Sequence, residues 1–412
     1  MALRALTLSA WMLVATACTG GRVSGNCDAR VEPGDDDHAA ISAALAALSD
    51  GETLCLTGGR FVLDAPLELS GRSMITLTGA SLEEPEGTVL DFAPQTGGDA
   101  LTISQVSELT LRDLTVESAF GRGVVLEEVD GGTIERLTVL WDLEMRRGGD
   151  GLVIADSRGV RVTASSFLAS NAAGVLVTRS EDCLLDENGS FDSLAGFVLE
   201  DSRRCELRLN SAEVNGVGLL VADSPGDAAT TAENTLRENI VLENNALLER
   251  PSGSSLLAHV PTGVGVVILA ADDTEVVGNQ IEGNAAAGVM VLAHTTLVDL
   301  AGAPPAGGDY DPYPSLVHLH DDVYVENGFD PTTGADPLVT ELLTRSTRTE
   351  LADVVWDGAL GGDLEAGTLC LRPDADSAVT FLDLDARGGF ATPSEDTSPH
   401  DCSHPGHALV EP

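Results

Sequence analysis

NAAGVLVTRSEDCLLDENGSFDSLAGFVLEDSRRCELRLNSAEVN, residues Asn171 to Asn215, states one phrase twice. Each time a Gly leads a run of apolar residues, a polar run containing Ser follows, and a Cys closes it. Gly174 and Gly196 are 22 apart, and so are Cys183 and Cys205. The Gly-plus-apolar opening recurs at Gly123, Gly151, Gly218, Gly265 and Gly288. Self-similarity at such a period is the signature of a solenoid, in which each repeat is one supersecondary unit stacked on the next. A repeat of this size holds two or three short strands. Like strands in successive repeats run parallel, and crossovers between parallel strands are right-handed. The expected fold is therefore all-β: a right-handed parallel β-helix whose coils lie about 4.8 Å apart.

Working outward from the phrase, strand periodicity sorts its residues into two rows. Leu152, Val175, Phe197, Leu219, Val266 and Val289 form an inward stack. Val153, Leu176, Val198, Leu220, Val267 and Met290 then face outward, and they are apolar too. A strand that is apolar on both faces is covered on both faces, so the chain after Leu300, or a partner, is expected over this sheet. At the corners, Asn171, Ser193 and Asn215 stand three residues before a phrase Gly, and Asn239, Asn244, Asn279 and Asn284 continue the pattern. Stacked side-chain amides satisfy a corner's polar groups. Gly at the phrase start is expected to supply a positive-φ turn.

The remaining chain frames this solenoid. Asp36–Leu48 reads as a short helix, with Asp36 or Asp37 as its cap and Ile41, Leu45 and Leu48 on one face. A helix before a run of strands is expected to cover the open end of the sheet. After Leu300 the repeat fades into a Pro/Gly/Asp loop, and PLVTELLTR within Pro337–Val355 suggests a second helix. The expected boundaries are a signal at 1–17, a tether at 18–35, the β-helix with its cap at 36–330, and an extension at 331–412 that folds back on the solenoid.

Composition narrows function. Against 66 acidic residues stand 22 basic ones, giving a net charge of −44. Such a chain cannot neutralise phosphates, which excludes nucleic acid as a partner, and it is repelled by anionic membrane surfaces. At the N-terminus Arg4 precedes the apolar run Ala5–Ala17, too short to span a bilayer. ATAC then places small residues before Cys18 and resembles a bacterial lipobox, which implies cleavage before Cys18 and lipidation of its sulfur. The expected location is the cell envelope, with the membrane engaged through that lipid. Of seven Cys, removing Cys18 leaves Cys27, Cys55, Cys183, Cys205, Cys370 and Cys402. An even set in an exported chain suggests disulfides, and proximity favours Cys27–Cys55, Cys183–Cys205 and Cys370–Cys402.

Several segments carry a family likeness: the cap helix with GETLCLTGGRFVL, NGVGLLVADSPG from Asn215, HVPTGVGVVILAADDTEVVGNQIEGN from His259, and DPYPSLVHLHDD from Asp311 followed by ENG. Through them the chain resembles the pectate-lyase-like right-handed β-helix superfamily. More narrowly, it is similar to a family of exported parallel β-helix-repeat proteins with no established reaction. Members of that family are often encoded near c-type cytochromes, which implies an envelope redox protein as one possible partner. Where the family has Asp and Tyr, this chain has Ala172 and Leu176, and Val198 replaces a family Glu while Glu200 stays.

Candidate chemistry lies off the greasy row. His318 and His320 are i, i+2 on a strand, hence on one face, beside Asp321 and Asp322. Two imidazoles and a carboxylate suit either a transition metal or acid–base work, and His318, His320 and Asp321 are the catalytic candidates. Asp272 and Asp273 at a turn, with Glu200, are the oxygen ligands that calcium would take. Arg146 and Arg147 beside Asp150 offer a basic pair, and His400, His404 and His407 cluster near Cys402. The favoured reading is a non-catalytic binding scaffold at the envelope, carbohydrate-related. A carbohydrate-active lyase, epimerase or hydrolase on acidic polysaccharide is the alternative, and a partner of an envelope redox protein the third.

Overall fold

The computed structural model describes residues 26–410, apart from 82–86, 144–147, 227–229, 252–254, 332–335, 362–367 and 374–377. The expected signal, Cys18, Arg146 and Arg147 lie outside the described residues.

The phrase strands stack as the period demands. Parallel register aligns Leu152 with Val175, Val175 with Phe197, Phe197 with Leu219, Leu219 with Val266, and Val266 with Val289. All six are fully buried in one continuous core. After each strand the chain turns into a second sheet and then a third. The second includes Arg158–Thr163, Leu184–Asp186, Glu206–Arg208, Asn234–Arg237, Thr274–Val277, Val317–His320 and Leu369–Arg372. The third includes Ser166–Leu168, Gly189–Phe191, Ser211–Glu213, Ile240–Leu242, Gln280–Glu282 and Val323–Val325. Among the described residues every strand-to-strand pairing is parallel, and thirty strands join into one hydrogen-bonded set. The fold is a right-handed parallel β-helix.

Two corner devices hold the coils. Along one edge, Ser193 N–H donates to Asn215, Asn215 to Asn244, Asn244 to Asn284 and Asn284 to Asn327, each onto the next side-chain oxygen at 2.9–3.1 Å. A parallel ladder runs Ser165, Asn188, Asn210, Asn239, Asn279 and ends on Asp322. The first ladder starts from Ser170, whose N–H reaches Ser193, rather than from Asn171. The turn after Ser170 holds one residue more than the turn after Ser193, which displaces Asn171 by one place.

The phrase glycines do a different job from the one their position suggested. None of Gly151, Gly174, Gly196, Gly218, Gly265 and Gly288 has a positive φ. A Cβ on Gly196 would lie 2.4 Å from the carbonyl oxygen of Gly218, and one on Gly218 would lie 2.5 Å from that of Gly265. Gly is required because successive backbones approach too closely for a side chain. The bend after the phrase strand falls instead on Asp156, Arg179 and Asp201, at φ 50°, 48° and 51°. Aspartate tolerates this left-handed region better than most residues.

Most of the outward row is buried as well, with Leu176 half-buried and Val153 packed against Val125 and Ala155. Val198, Leu220, Val267, Met290 and Val355 pack beneath α2 (His294–Ala301), α3 (Pro337–Ser346) and Leu256 and Val260. α3 is the expected helix, capped by Asp336. α2 is new. It interrupts a coil between the phrase strand Ala287–Leu292 and Val317–His320. At the other end α1 (Asp37–Ala47), capped by Asp36 at 3.0 Å, sets Ile41 and Leu45 on the open core.

Both chain ends differ from the expected boundaries. Ala29–Val31 pairs with Thr53–Leu56 and is the first rung rather than part of a tether. Stacking runs past 330, through Val354–Trp356 and Leu369–Arg372 to Phe381–Asp383. Cys27–Cys55 and Cys370–Cys402 are disulfides. Cys183 and Cys205 are not: both are buried thiols. In parallel register two stacked side chains point the same way, with Cβ atoms held near the coil spacing of about 4.8 Å, beyond the usual disulfide span. Each thiol turns back to a local carbonyl, Glu181 for Cys183 and Arg203 for Cys205. The hydrogen bond to Cys205, aided by burial, holds the Cys183 thiol well above its usual pKa.

The C-terminal segment lies across the outer face of the second sheet. His400 packs on Trp356 and Phe381, Cys402 is bonded to Cys370, and His404 sits edge-on to His318. His407 then reaches Thr235 and Asp273, and the Val410 N–H reaches Glu206 at 3.0 Å. This strap runs back down five successive strands.

Candidate functional site

Two places gather chemistry. The first is the outer face of the second sheet, where register builds a charged column from residues dozens of positions apart. Arg161 and Arg208 flank Asp186 at 3.0 and 2.8 Å. Arg237 bridges Glu206 and Glu275, each at 3.5 Å. Above Glu275 stands His318, and above Val277 stands His320. The two imidazoles stack with ring centroids 4.1 Å apart. His320 Nε2 lies 3.0 Å from Glu275 Oε1, and its Nδ1 lies 2.8 Å from Asp321 Oδ2. Burial opposes charge on His320, but these two hydrogen bonds outweigh it and raise its pKa. His318 is different. It is buried, neither ring nitrogen has a hydrogen-bond partner, and burial, with His320 beside it, pushes its pKa down to about 4. Asp321 is mostly exposed, and its carboxylate meets the far side of the His320 ring.

Glu275 was not legible as part of this group. It lies 43 residues before His318, because α2 and its loops are inserted into that coil. The signal was the alignment of TEVVGN with VHLHDD on the ladder positions Asn279 and Asp322.

The second place is a cleft of about 620 Å³ at the C-terminal ends of the phrase strands. Arg179, Glu200 and Asp201 line it, together with the loops carrying Leu256, His259, His294 and Pro304. Arg179 is held in a fork by Asp156 at 2.8 and 2.9 Å. Ser224 donates its hydroxyl to Glu200 and its N–H to Asp201. Asp201 shares a hydrogen bond with Asp223, and burial lifts Asp223 to a pKa of about 6. The two histidines hold backbone carbonyls, His259 through Nδ1 to Ala301 at 3.2 Å and His294 through Nε2 to Pro304 at 3.0 Å. Those contacts make Nδ1 of His259 and Nε2 of His294 N–H donors, and the other ring nitrogens, Nε2 of His259 and Nδ1 of His294, are buried without a hydrogen-bond partner. Asp223 and both histidines escaped sequence reading, since only the coil geometry brings them to Glu200.

The three carboxylates expected to share calcium do not form one ligand set. Glu200 serves Ser224 in the cleft, Asp272 accepts from Ser315 at 2.6 Å, and Asp273 binds His407 at 3.0 Å. Glu200 and the pair Asp272 and Asp273 sit on different coils along the turns between the first and second sheets, already bonded to neighbouring donors. Among the described residues, Glu275, His318 and His320 are the group of three or more ligand-type side chains whose donor atoms lie within 4.8 Å of one another.

Residues 99–300 match the family model described as a right handed beta helix region. The A-module of an Azotobacter vinelandii mannuronan C-5 epimerase superposes with a TM-score of 0.52 at 16% identity, covering 84% of this chain and 94% of that one. A polygalacturonase from Erwinia carotovora ssp. carotovora gives 0.47 at 12% identity, over 76% and 96%. No curated protein matches in sequence. The chain has the architecture of a right-handed parallel β-helix. At such identities the likeness to these solved structures is one of fold.

Proposed function

We propose that this protein is an exported β-helix, held at the cell envelope by lipid on Cys18, that binds a saccharide in the cleft around Glu200. The observation that carries the reading is the composition of that cleft. The Arg179 guanidinium, oriented by Asp156, and the Glu200 carboxylate line the same cleft as the apolar Leu256 and Pro304. Sugars present both hydroxyls for charged groups and apolar C–H faces, and sites with a few convergent polar groups on an apolar lining select such ligands. The fold also carries a mannuronan epimerase, which fits a saccharide ligand without requiring the same reaction. Net charge of −44 favours a neutral glycan over a polyuronate.

Titrating the full chain with neutral and uronic oligosaccharides in a calorimeter tests the reading. Glu200→Gln and Arg179→Ala are each expected to weaken binding by about tenfold, the loss of one charge-assisted hydrogen bond. No binding by any glycan class would defeat it.

A further inference from the structure

We infer that Glu275, His318 and His320 form a binding site for a divalent transition metal of the zinc type, closed over by the C-terminal strap. Four observations converge on it. First, His318 is 6% exposed and both its ring nitrogens are buried without a hydrogen-bond partner. A buried polar group left unmade costs about 1–3 kcal/mol, so its retention calls for a ligand. A metal ion is one that a nitrogen lone pair takes up directly. Second, parallel register sets Glu275 directly beneath His318, and strand periodicity sets His320 on the same face. The three donor atoms lie within 4.8 Å of one another. Donors around a tetrahedral zinc lie about 3.3 Å apart, given bonds of about 2.0–2.1 Å, and small side-chain rotations close that difference.

Third, the outer atoms of two ligands are already held. His320 Nδ1 is bonded to the Asp321 carboxylate, the arrangement that fixes ring orientation in metal-binding histidines. The second Glu275 oxygen accepts the His407 N–H at 3.1 Å and lies near Arg237. Fourth, the strap is shaped to pass over the group. A Cβ on Gly406 would come 3.1 Å from Glu275 Oε1, so glycine leaves room at that point. Two imidazoles and one carboxylate suit zinc, cobalt or nickel and not calcium, which takes six to eight oxygens. Three protein ligands leave a fourth position for water or for an exogenous group.

The test uses the full chain, dialysed against chelator and titrated with Zn²⁺ in excess Ca²⁺ and Mg²⁺, with Co²⁺ as the spectroscopic probe. The expected result is one Zn²⁺ per chain and the visible d–d bands of four-coordinate cobalt. Glu275→Gln and His320→Gln should each weaken binding by about 100-fold or more, while Asp321→Asn, which touches no metal, should weaken it by about tenfold. Melting curves in metal-free buffer check that the variants are folded. X-ray absorption on the wild-type Zn²⁺ complex gives a reading that needs no variant: two imidazoles in the first shell. Absence of stoichiometric binding, wild-type affinity in either ligand variant, or a first shell without imidazole would overturn the site. None of these outcomes depends on whether the Glu200 cleft takes a saccharide.

Discussion

Asp322 occupies the place that Asn188, Asn210, Asn239 and Asn279 fill in the preceding rungs of its ladder. It accepts the Asn279 N–H and amide at 2.8 Å, as an asparagine would, but it is wholly buried and its pKa is pushed up to about 7. The folded chain therefore holds this proton up to about pH 7, whereas the unfolded chain releases it near pH 4. Stability is fully present below pH 4 and is lost as pH rises to 7. Asp322→Asn removes that loss, and its amide gains a donor directed like that of Asn327, which reaches the Ile281 carbonyl at 2.9 Å. Denaturant melts should show the variant more stable by about 2 kcal/mol at pH 8 and no more stable at pH 4. A variant less stable at pH 8 would mean that the ladder does not treat 322 as an amide site. The thiols are testable at this scale too. Iodoacetamide should spare Cys183 and Cys205 in the native chain and label both after unfolding under non-reducing conditions, and a protected pair in denaturant would mean a bond between them. Their equivalence was legible from spacing alone. Their reduced state was hidden because the Cα spacing of stacked coils falls inside the disulfide range while the spacing of their parallel Cβ atoms falls outside it.

At the scale of elements, the phrase strand is defined by what it cannot tolerate. The carbonyl of Gly218 stands 2.4 Å from where a Cβ on residue 196 would be. Gly196→Ala must push two coils apart, and overpacking of this kind typically costs about 1–3 kcal/mol. A loss of about 2 kcal/mol in a denaturant melt is expected, whereas Gly226→Ala, which meets nothing within 4 Å, should cost mainly the strain of its positive φ. Equal costs at the two sites would deny the close approach. The two-sided apolar pattern of this strand announced that something covers it. Which element does so was only half readable: PLVTELLTR carries helical spacing, but HTTLVDLA follows directly on an apolar strand and offers too short a period to stand apart from it. That same insertion stretches the coil before His318, which is why Glu275 was hidden while the pairing of His318 with His320, fixed by local strand geometry, was plain.

Over the whole molecule, electrostatics set a pH optimum below neutrality. Burial raises Asp223 and Asp357 to about 6, so each favours the folded state most below pH 4 and loses that contribution as pH climbs toward 6. A net charge of −44 adds self-repulsion that grows over the same range. In the other direction, the hydrogen bond from Arg204 holds Asp182 below its usual pKa, a contribution present above pH 4 and lost on further acidification. Thermal melts from pH 3 to pH 8 should peak near pH 5, and a Tm that rises steadily to pH 8 would contradict this balance. Export and anchoring belong to this scale as well: Cys18→Ser should abolish incorporation of labelled fatty acid and release the protein from the membrane fraction. The architecture was legible because one period governs most of the chain, and both ends were not, because rungs there lack the phrase glycine. All of it depends on residues about 22 positions apart lying above one another along one axis, and a crystal structure of the chain tests that most directly. The account predicts Phe197 between Val175 and Leu219 at the parallel-strand spacing of about 4.8 Å, with Glu275 directly beneath His318. Val175 and Phe197 in different sheets, or in antiparallel strands, would contradict it.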